Sequence, residues 1–319
     1  MFWVFGPALG GACYLHPEAA VFWLWLAWCG HAPGQQPPLY VNMDETSVAV
    51  VQQNGTGAVV TASTPGGVAT LAPKASLSER RAAVTCISVV CDDAVLQPKL
   101  PQLIVAARRL VTKKLKESIK FPGSVTLLAE KSAWNNSAIM LKFLSMLAEA
   151  LKEHVGTRRI VLIMDVARCH LSQMVLDHAR HLNIWLVLVP AGATPYLQPL
   201  DATVFKGFKA YLRRGYARIQ VASATGSVSH KDFLELLAEA ATKHLCSHKW
   251  APAFRQVGAG TTGLQQLSSD LRRFVKSWDV EAKPPSSAEL GRIFPKGKRP
   301  CPTSFASLPR RRLCAKTSI

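Results

Sequence analysis

Residues 159–189 read RIVLIMDVARCHLSQMVLDHARHLNIWLVLV, and this stretch decides the class of fold. Arg159–Met164 and Ile184–Val189 are short, continuous apolar runs, which is the pattern of central strands covered on both faces. Ser172 is placed to cap a helix between them. The stretch therefore predicts a strand, a helix and a second strand, with Asp165 at the end of the first strand.

The flanking sequence extends this pattern in both directions. The predicted elements are the strands Leu39–Met43, Val48–Gln52, Ala82–Val90 and an edge strand at Leu103–Ala106, the helix Trp134–Leu151, and the later helices Asp201–Tyr216 and Lys231–His244. Three strands, helix, strand, helix, strand and helix is the succession used by RNase H-like domains. We therefore expect an α/β fold in which helices flank a mixed sheet.

The composition indicates a folded and strongly basic protein. The 319 residues are 49% apolar, which is enough to bury a core. Lys and Arg number 38 against 20 Asp and Glu, a net charge of +18 that favours a polyanionic partner. The eight cysteines include no CxxC pair, which fits a reducing compartment. His244, Cys246 and His248 lack a second ligand pair, so no zinc site is predicted.

Changes in composition divide the chain into three regions. Residues 1–38 are an apolar leader that ends in a Pro-rich linker, residues 39–278 are a single α/β domain, and residues 279–319 are a basic tail predicted to be disordered. The densest apolar run of the leader, Val21–Cys29, is shorter than the roughly 20 residues of a membrane span. No Lys or Arg precedes it as in a signal peptide, so a membrane association is not expected.

Three aspartates lie at the ends of predicted elements. Asp44 follows the first strand, Asp165 ends a later one, and Asp201 lies where a Pro-rich loop becomes a helix. Each also has an ordinary interpretation, as a solvated side chain, a surface turn or a helix cap. If they converge, they form the oxygen-rich site that Mg²⁺ prefers. Two such ions about 3.5–4 Å apart can activate an attacking oxygen and stabilise a leaving one.

The residues around the three aspartates match one family pattern. They read VNMDETSV at 41–48, IVLIMDVARCHLS at 160–172 and LVPAGATPYLQPLDATVFKGFK at 188–209. These blocks resemble the signature blocks of DDE-type transposases (DDE superfamily endonucleases), in particular the pogo-like branch of the mariner superfamily, whose triad is all aspartate. The resemblance runs from about Leu39 to Gly260, and Trp134–Ser137 and Phe254–Gly258 also look like family landmarks.

The resemblance implies catalytic and metal-binding roles for Asp44, Asp165 and Asp201. It implies two Mg²⁺ or Mn²⁺ ions, no small-molecule cofactor, hydrolysis of a phosphodiester at a transposon end, and attack of the freed 3′-hydroxyl on target DNA. Glu45 is expected to point away from the site, because neighbours on a strand face opposite ways. Two further residues are expected near the triad. His170 either supports the triad, faces a phosphate or is merely structural. Gln198 is expected to shape the loop that presents Asp201. Cys169 is interpreted as packing.

The expected partner is nucleic acid, DNA before RNA, and a homodimer is left open as a means of pairing two DNA ends. The short basic clusters Lys296–Arg299 and Arg310–Arg312 favour either a nuclear location or nonspecific DNA binding. Solvated helix faces are the alternative to phosphate contacts for the other basic residues. The predicted contacts to the DNA backbone are Arg108, Arg109, Lys113, Lys114, Arg213 and Arg214.

Two departures from the family pattern leave the functional class open. Val166 stands where the family often has Asn, and the residues before Leu39 contain no recognisable helix-turn-helix module for reading DNA ends. The intact aspartates favour a metal-dependent DNA nuclease and strand transferase. The two departures favour a catalytically inactive, transposase-derived nucleic-acid-binding protein or a relic fragment.

Overall fold

A six-stranded mixed sheet forms the centre of the structure, a computed structural model that describes Phe22, Trp23, Leu26 and residues 36–49, 83–156, 158–224, 226–259 and 268–269. The strands are β1 (Leu39–Ala49), β2 (Ala83–Cys91), β3 (Gln102–Ala107), β4 (Val125–Glu130), β5 (Ile160–Asp165) and β6 (Ile184–Val189). The α-helices are α1 (Lys113–Ser118), α2 (Ser137–Leu151), α3 (Gln173–His181), α4 (Thr194–Leu197), α5 (Phe205–Ala222), α6 (His230–Ala240) and α7 (Ala251–Gln256). Short 3₁₀ or π-helical turns occupy Gln97–Lys99, Leu200–Val204 and Ala241–Cys246.

The strand order defines an RNase H-like fold. The strands lie in the order β4-β3-β2-β1-β5-β6. Strand β2 is antiparallel to both of its neighbours, β1 and β3, whereas β5 and β6 run parallel to β1. Strand β4 pairs in parallel with β3 and adds an outer edge to this arrangement. The α/β fold with a mixed sheet flanked by helices, predicted from the order of elements, is confirmed.

Two apolar layers cover the two faces of the sheet. Helix α2 begins where Asn136 accepts a hydrogen bond from the Ile139 backbone N–H at 3.1 Å, and its buried stripe packs with α3 against one face. Helices α5, α6 and α7 cover the other face. Because side chains alternate along β1, Leu39, Val41 and Met43 meet the α2 layer, while Tyr40 and Val48 meet the α5 layer.

Part of the apolar leader belongs to the α5-side core. Phe22, Trp23 and Leu26 are helical and at most 2% exposed. The Trp23 indole N–H donates to the Val257 carbonyl at 3.0 Å. A Cβ at Gly258, whose φ is +87°, would lie 2.6 Å from Trp23 Nε1, so glycine lets the two segments approach. Among the helices that the structure describes, none is both long and apolar enough to cross a bilayer.

Several predicted element bounds differ from the structure. The region predicted as separate strands around Asp44 is one strand, β1, because β2 pairs with it from Val41 to Ala49 across the polar DETS segment. The predicted edge strand at Leu103–Ala106 is the interior strand β3, since β4, which was not predicted, covers its outer side. The predictions for residues 50–52 and for the tail lie outside the described residues.

Candidate active site

The sheet brings Asp44 and Asp165 side by side. Asn42 pairs with Ile163 in the parallel register of β1 and β5, so Asp44 and Asp165 lie level on adjacent strands. Neighbouring strands are about 4.8 Å apart, which places the two side chains within reach of each other on the α5 side. Asp44 is 7% exposed, whereas Asp165 ends its strand and is partly open to solvent.

Asp201 joins this pair from the other end of the chain. It lies in the π-helical turn Leu200–Val204 that precedes α5, so the predicted helix start is a wider turn. Its carboxyl group lies close enough to that of Asp44 and to the side chain of Thr194 for both to affect its pKa. The structure therefore brings together all three aspartates singled out in the sequence.

The electrostatics of the site reflect crowded carboxyl groups. Burial and the charge of Asp201 raise the pKa of Asp44 to about 8, with smaller contributions from Glu45 and Asp165. Burial also raises the pKa of Asp201, although the nearby charge of Lys209 opposes the shift. Burial and the neighbouring carboxyl groups thus favour the protonated form of Asp44 and Asp201 over the ionised form. Lys209 was not predicted at the site, and only its position two turns after Asp201 signals it.

His170 is a buried side chain that bridges Asp165 and Glu45. It is completely buried, its Nδ1 donates to Asp165 Oδ1 at 2.7 Å, and its Nε2 donates to Glu45 Oε1 at 2.9 Å. Burial alone would lower the pKa of His170, but these hydrogen bonds raise it to about 12. Burial likewise favours a raised pKa for Asp165, yet its hydrogen bond from His170 lowers it. The structure thus places His170 between Asp165 and Glu45 and away from solvent, and its role among the predicted alternatives stays a prediction.

Glu45 has a structural role that the sequence did not indicate. It lies on the opposite face of β1 from Asp44, as strand alternation requires, and beyond the point where β5 ends. Asn135 and His170 both donate to its carboxylate. Glu45 and Asp165 thus hold the two nitrogens of His170. The landmark Trp134–Ser137 segment is the only sequence signal that points to the Asn135 contact.

A buried amide, Asn42, connects the segments that carry the aspartates. Its Oδ1 accepts from the Leu200 backbone N–H at 2.8 Å, and its Nδ2 donates to the Ile163 carbonyl at 3.0 Å and the Met43 carbonyl at 3.3 Å. It is 0% exposed. The sequence analysis did not select Asn42, although it stands two residues before Asp44 within the first signature block.

Two other buried polar side chains near the aspartates have no hydrogen-bond partner among the described residues. Ser88 is the direct cross-strand neighbour of Asp44, and its hydroxyl is unpaired. The side-chain amide of Gln198 is also unpaired, while its backbone carbonyl accepts from the Ala202 N–H at 2.9 Å. Gln198 therefore lies in the loop that presents Asp201, as expected from its position, and contributes backbone hydrogen bonds there.

The predicted basic residues are exposed but do not contact the aspartates. Arg108 and Arg109 follow β3, and Lys113 and Lys114 begin α1. Gln102 lies level with Asp44 across the sheet. Arg108 is six residues further along, so it lies about 20 Å from that level in the direction of the strands. Arg213 and Arg214 lie on the exposed side of α5, roughly 20 Å from Asp201 along the helix axis.

The other groups of potential metal ligands are less suited to a cation. The Cys169 sulfur lies within 4.8 Å of the ligand atoms of Glu45 and His170, but a protonated imidazole has no lone pair to offer. Cys169 is partly buried against the α2-side core, as its interpretation as packing requires. Cys246 contacts Ser124 rather than His244, and His244 packs against Trp250, so these residues do not converge on a metal.

The donor set formed by the three aspartates fits a hard divalent cation. Carboxylate oxygens are the ligands that Mg²⁺ and Mn²⁺ prefer. Burial and the neighbouring charge of Asp201 raise the pKa of Asp44. A cation in this position would replace the proton and relieve the repulsion.

Comparison with known proteins identifies the family. The model of the DDE superfamily endonuclease family matches residues 80–251, more than half of the chain, and the chain belongs to this family. A mouse protein described as "Pogo transposable element with KRAB domain" is 28% identical over 98 residues, which is 31% of this chain and 16% of the mouse protein. The human protein of the same description is 26% identical over 98 residues, with the same coverage. The family predicted from the three sequence blocks is confirmed.

Solved structures of the Mos1 mariner transposase are also similar to this chain. The Mos1 paired-end complex with left transposon end is 15% identical with a TM-score of 0.41, covering 77% of this chain and 66% of the other. The Mos1 catalytic domain is 14% identical with a TM-score of 0.37, covering 77% and 98%. The fold of this chain is defined by its strand order and family membership rather than by these similarities.

Proposed function

We propose that this chain is the catalytic domain of a DDE transposase that cleaves DNA phosphodiesters with divalent metal ions held by Asp44, Asp165 and Asp201. The observation that carries the proposal is the convergence of these three carboxylates from β1, β5 and the turn before α5. Buried carboxyl groups that repel one another are unfavourable unless a cation compensates them. A fold alone would not require this arrangement.

The residues of the chain prepare the site for a cation and for DNA. The two ions proposed here, Mg²⁺ or Mn²⁺, would activate the attacking oxygen and stabilise the leaving one. Asp44 and Asp201 would hold the cation in their ionised form, so that binding would be coupled to the loss of a proton. Asp165 remains ionised because the His170 imidazolium donates to it. His170 thereby fixes the direction in which one Asp165 oxygen points and leaves the other oxygen for a ligand.

The exposed basic residues are proposed to hold the DNA backbone at a distance from the reacting phosphate. All six of these residues are exposed, and Arg108, Arg213 and Arg214 lie roughly 20 Å from the aspartates along their strand or helix; the six are Arg108, Arg109, Lys113, Lys114, Arg213 and Arg214. Six base pairs of duplex span about the same length, so one DNA segment can reach both the aspartates and a basic group. Phosphate contacts of this kind position DNA without reading its sequence.

Nicking of supercoiled plasmid by the full chain in Mn²⁺ tests the proposal. We expect cleavage by the wild-type protein and a loss of more than about 100-fold in Asp44→Asn, Asp165→Asn and Asp201→Asn, because even outer partners of metal ligands typically contribute 10–100-fold. Asparagine keeps the shape of each side chain and removes its charge.

Asp177→Asn is the matched control for loss of one carboxylate. Asp177 lies on the surface of α3, where Arg180 contacts it at 2.6 Å, and it does not contact the site. This variant should nick DNA at the wild-type rate. Equal cleavage by Asp177→Asn and the three site variants would reveal a contaminating nuclease, and a folded wild-type protein that binds DNA without nicking it would contradict the proposal.

A further inference from the structure

The buried amide of Asn42 touches all three parts of the chain that carry the aspartates. It stands two residues before Asp44 on the same face of β1. The Ile163 carbonyl that accepts its Nδ2–H lies two residues before Asp165, and the Leu200 N–H that donates to its Oδ1 lies one residue before Asp201. One side chain thus links β1, β5 and the π-helical turn.

Packing of Leu200 and Val204 in the α5-side core holds the turn near the sheet, and the hydrogen bond to Asn42 fixes the position of its backbone. The turn is separated from β1 by more than 150 residues of sequence, and a fully buried hydrogen bond of 2.8 Å from the Leu200 N–H to Asn42 joins its backbone to that strand. Both Leu200 and Asn42 are 0% exposed, so water does not compete for this hydrogen bond.

We infer that Asn42 is a positioning residue that sets the spacing of Asp44, Asp165 and Asp201 for a divalent cation. This inference rests on the proposed function. Asn42 does not itself bind the cation, since both its oxygen and its nitrogen are engaged with backbone groups. Its removal frees Asp201 to move away from the other two carboxylates, so that the site binds a cation less tightly.

Gln102 provides a matched control on the same sheet. It is also a buried amide, 1% exposed, whose Oε1 accepts from the Val89 N–H at 3.0 Å and whose Nε2 donates to the Val89 carbonyl at 2.8 Å. Its hydrogen bonds join β3 to β2 and do not involve the segments that carry the aspartates. Loss of either amide leaves buried backbone groups unpaired, so both variants should be destabilised to a similar extent.

Calorimetric titration of Mn²⁺ into the full chain distinguishes positioning from general stability. We expect Asn42→Ala to weaken Mn²⁺ affinity by about 10–100-fold, the range typical of outer partners of metal ligands, and Gln102→Ala to bind Mn²⁺ as the wild type does. Asn42→Ser leaves room for a water at the same place and serves as a milder second variant, with a smaller loss expected. Circular dichroism and urea unfolding verify that each variant is folded at the temperature of titration.

Each outcome decides a different claim. Wild-type affinity in folded Asn42→Ala or Asn42→Ser would overturn the positioning role while leaving the metal site intact. An equal loss of affinity in Gln102→Ala would also overturn it, because the effect would then follow stability. A wild-type protein that binds no Mn²⁺ would overturn the metal site, and with it this role of Asn42.

Discussion

At the scale of single residues, the arrangement of charge around Asp165 is the most informative feature of the site. His170 lies between Asp165 and Glu45 with no exposure to solvent, and both of its ring nitrogens donate to carboxylates. An imidazolium in this position keeps Asp165 ionised and oriented. The order of the residues also has a simple cause, because β5 ends level with Asp44 and the following turn can place His170 beside Glu45.

Replacement of His170 by alanine should destabilise the protein. The change leaves two partly buried carboxylates without the cation between them, and breaking such a pair from one side costs on the order of 3 kcal/mol. Urea unfolding followed by circular dichroism measures the effect. His178→Ala is the control, since His178 bonds Ser145 at the surface, and it should change the free energy of unfolding by less than about 0.5 kcal/mol. Equally small changes in both variants would contradict the role assigned to His170.

The sequence predicted the three aspartates of the site and His170 beside them, but not Asn42, Glu45 or Lys209. Asp44, Asp165 and Asp201 lie in blocks that match a family pattern, so they could be selected without a structure. Asn42 and Glu45 act through contacts between distant parts of the chain. Spacing along the sequence does not encode such contacts. Strand alternation correctly placed Glu45 on the opposite face of β1 from Asp44, but it did not predict that Glu45 contacts His170.

At the scale of elements, continuous apolar runs predicted the bounds of strands well, whereas a polar segment within a strand led to a wrong bound. Strands β5 and β6 are continuous apolar segments, and the structure has them within one residue of the predicted bounds. Strand β1 contains the polar segment DETS, which is why it was predicted as two strands; pairing with β2 over its whole length makes it one. The catalytic chemistry proposed here requires these polar residues within the strand.

The aromatic leader is the element whose importance the sequence understated. Trp23 is 1% exposed and donates to the Val257 carbonyl, so it fills the α5-side core and joins the start of the chain to the end of α7. It was predicted only as part of an unassigned leader. The burial of Trp23 gives a physical reason for an apolar run in the leader that is too short to span a membrane.

Trp23→Ala should therefore destabilise the full chain by about 3–5 kcal/mol, the usual loss for a large buried aromatic side chain. Trp134→Ala is the matched control, because Trp134 is 77% exposed and should contribute less than about 0.5 kcal/mol. Urea unfolding of both variants and the wild type gives the comparison. A small effect at Trp23 would mean that the leader does not stabilise the domain.

At the scale of the whole molecule, the fold and the charge serve different parts of the proposed function. The sheet brings β1 and β5 together as neighbours, so two aspartates meet by topology, and the turn before α5 delivers the third. The excess of 38 basic over 20 acidic residues gives the chain a general affinity for polyanions. Acidic residues concentrated at one place on a strongly basic protein are suited to a cation that bridges the protein and a phosphate.

Anomalous X-ray diffraction from crystals of the full chain soaked in Mn²⁺ is the most direct test of the central claim, that Asp44, Asp165 and Asp201 form one divalent-metal site. The account predicts the strongest anomalous peak between these three carboxylates, and its loss in crystals of Asp165→Asn. A strongest peak at Glu45, Cys169 and His170, or no peak beside the three aspartates at saturating Mn²⁺, would contradict it.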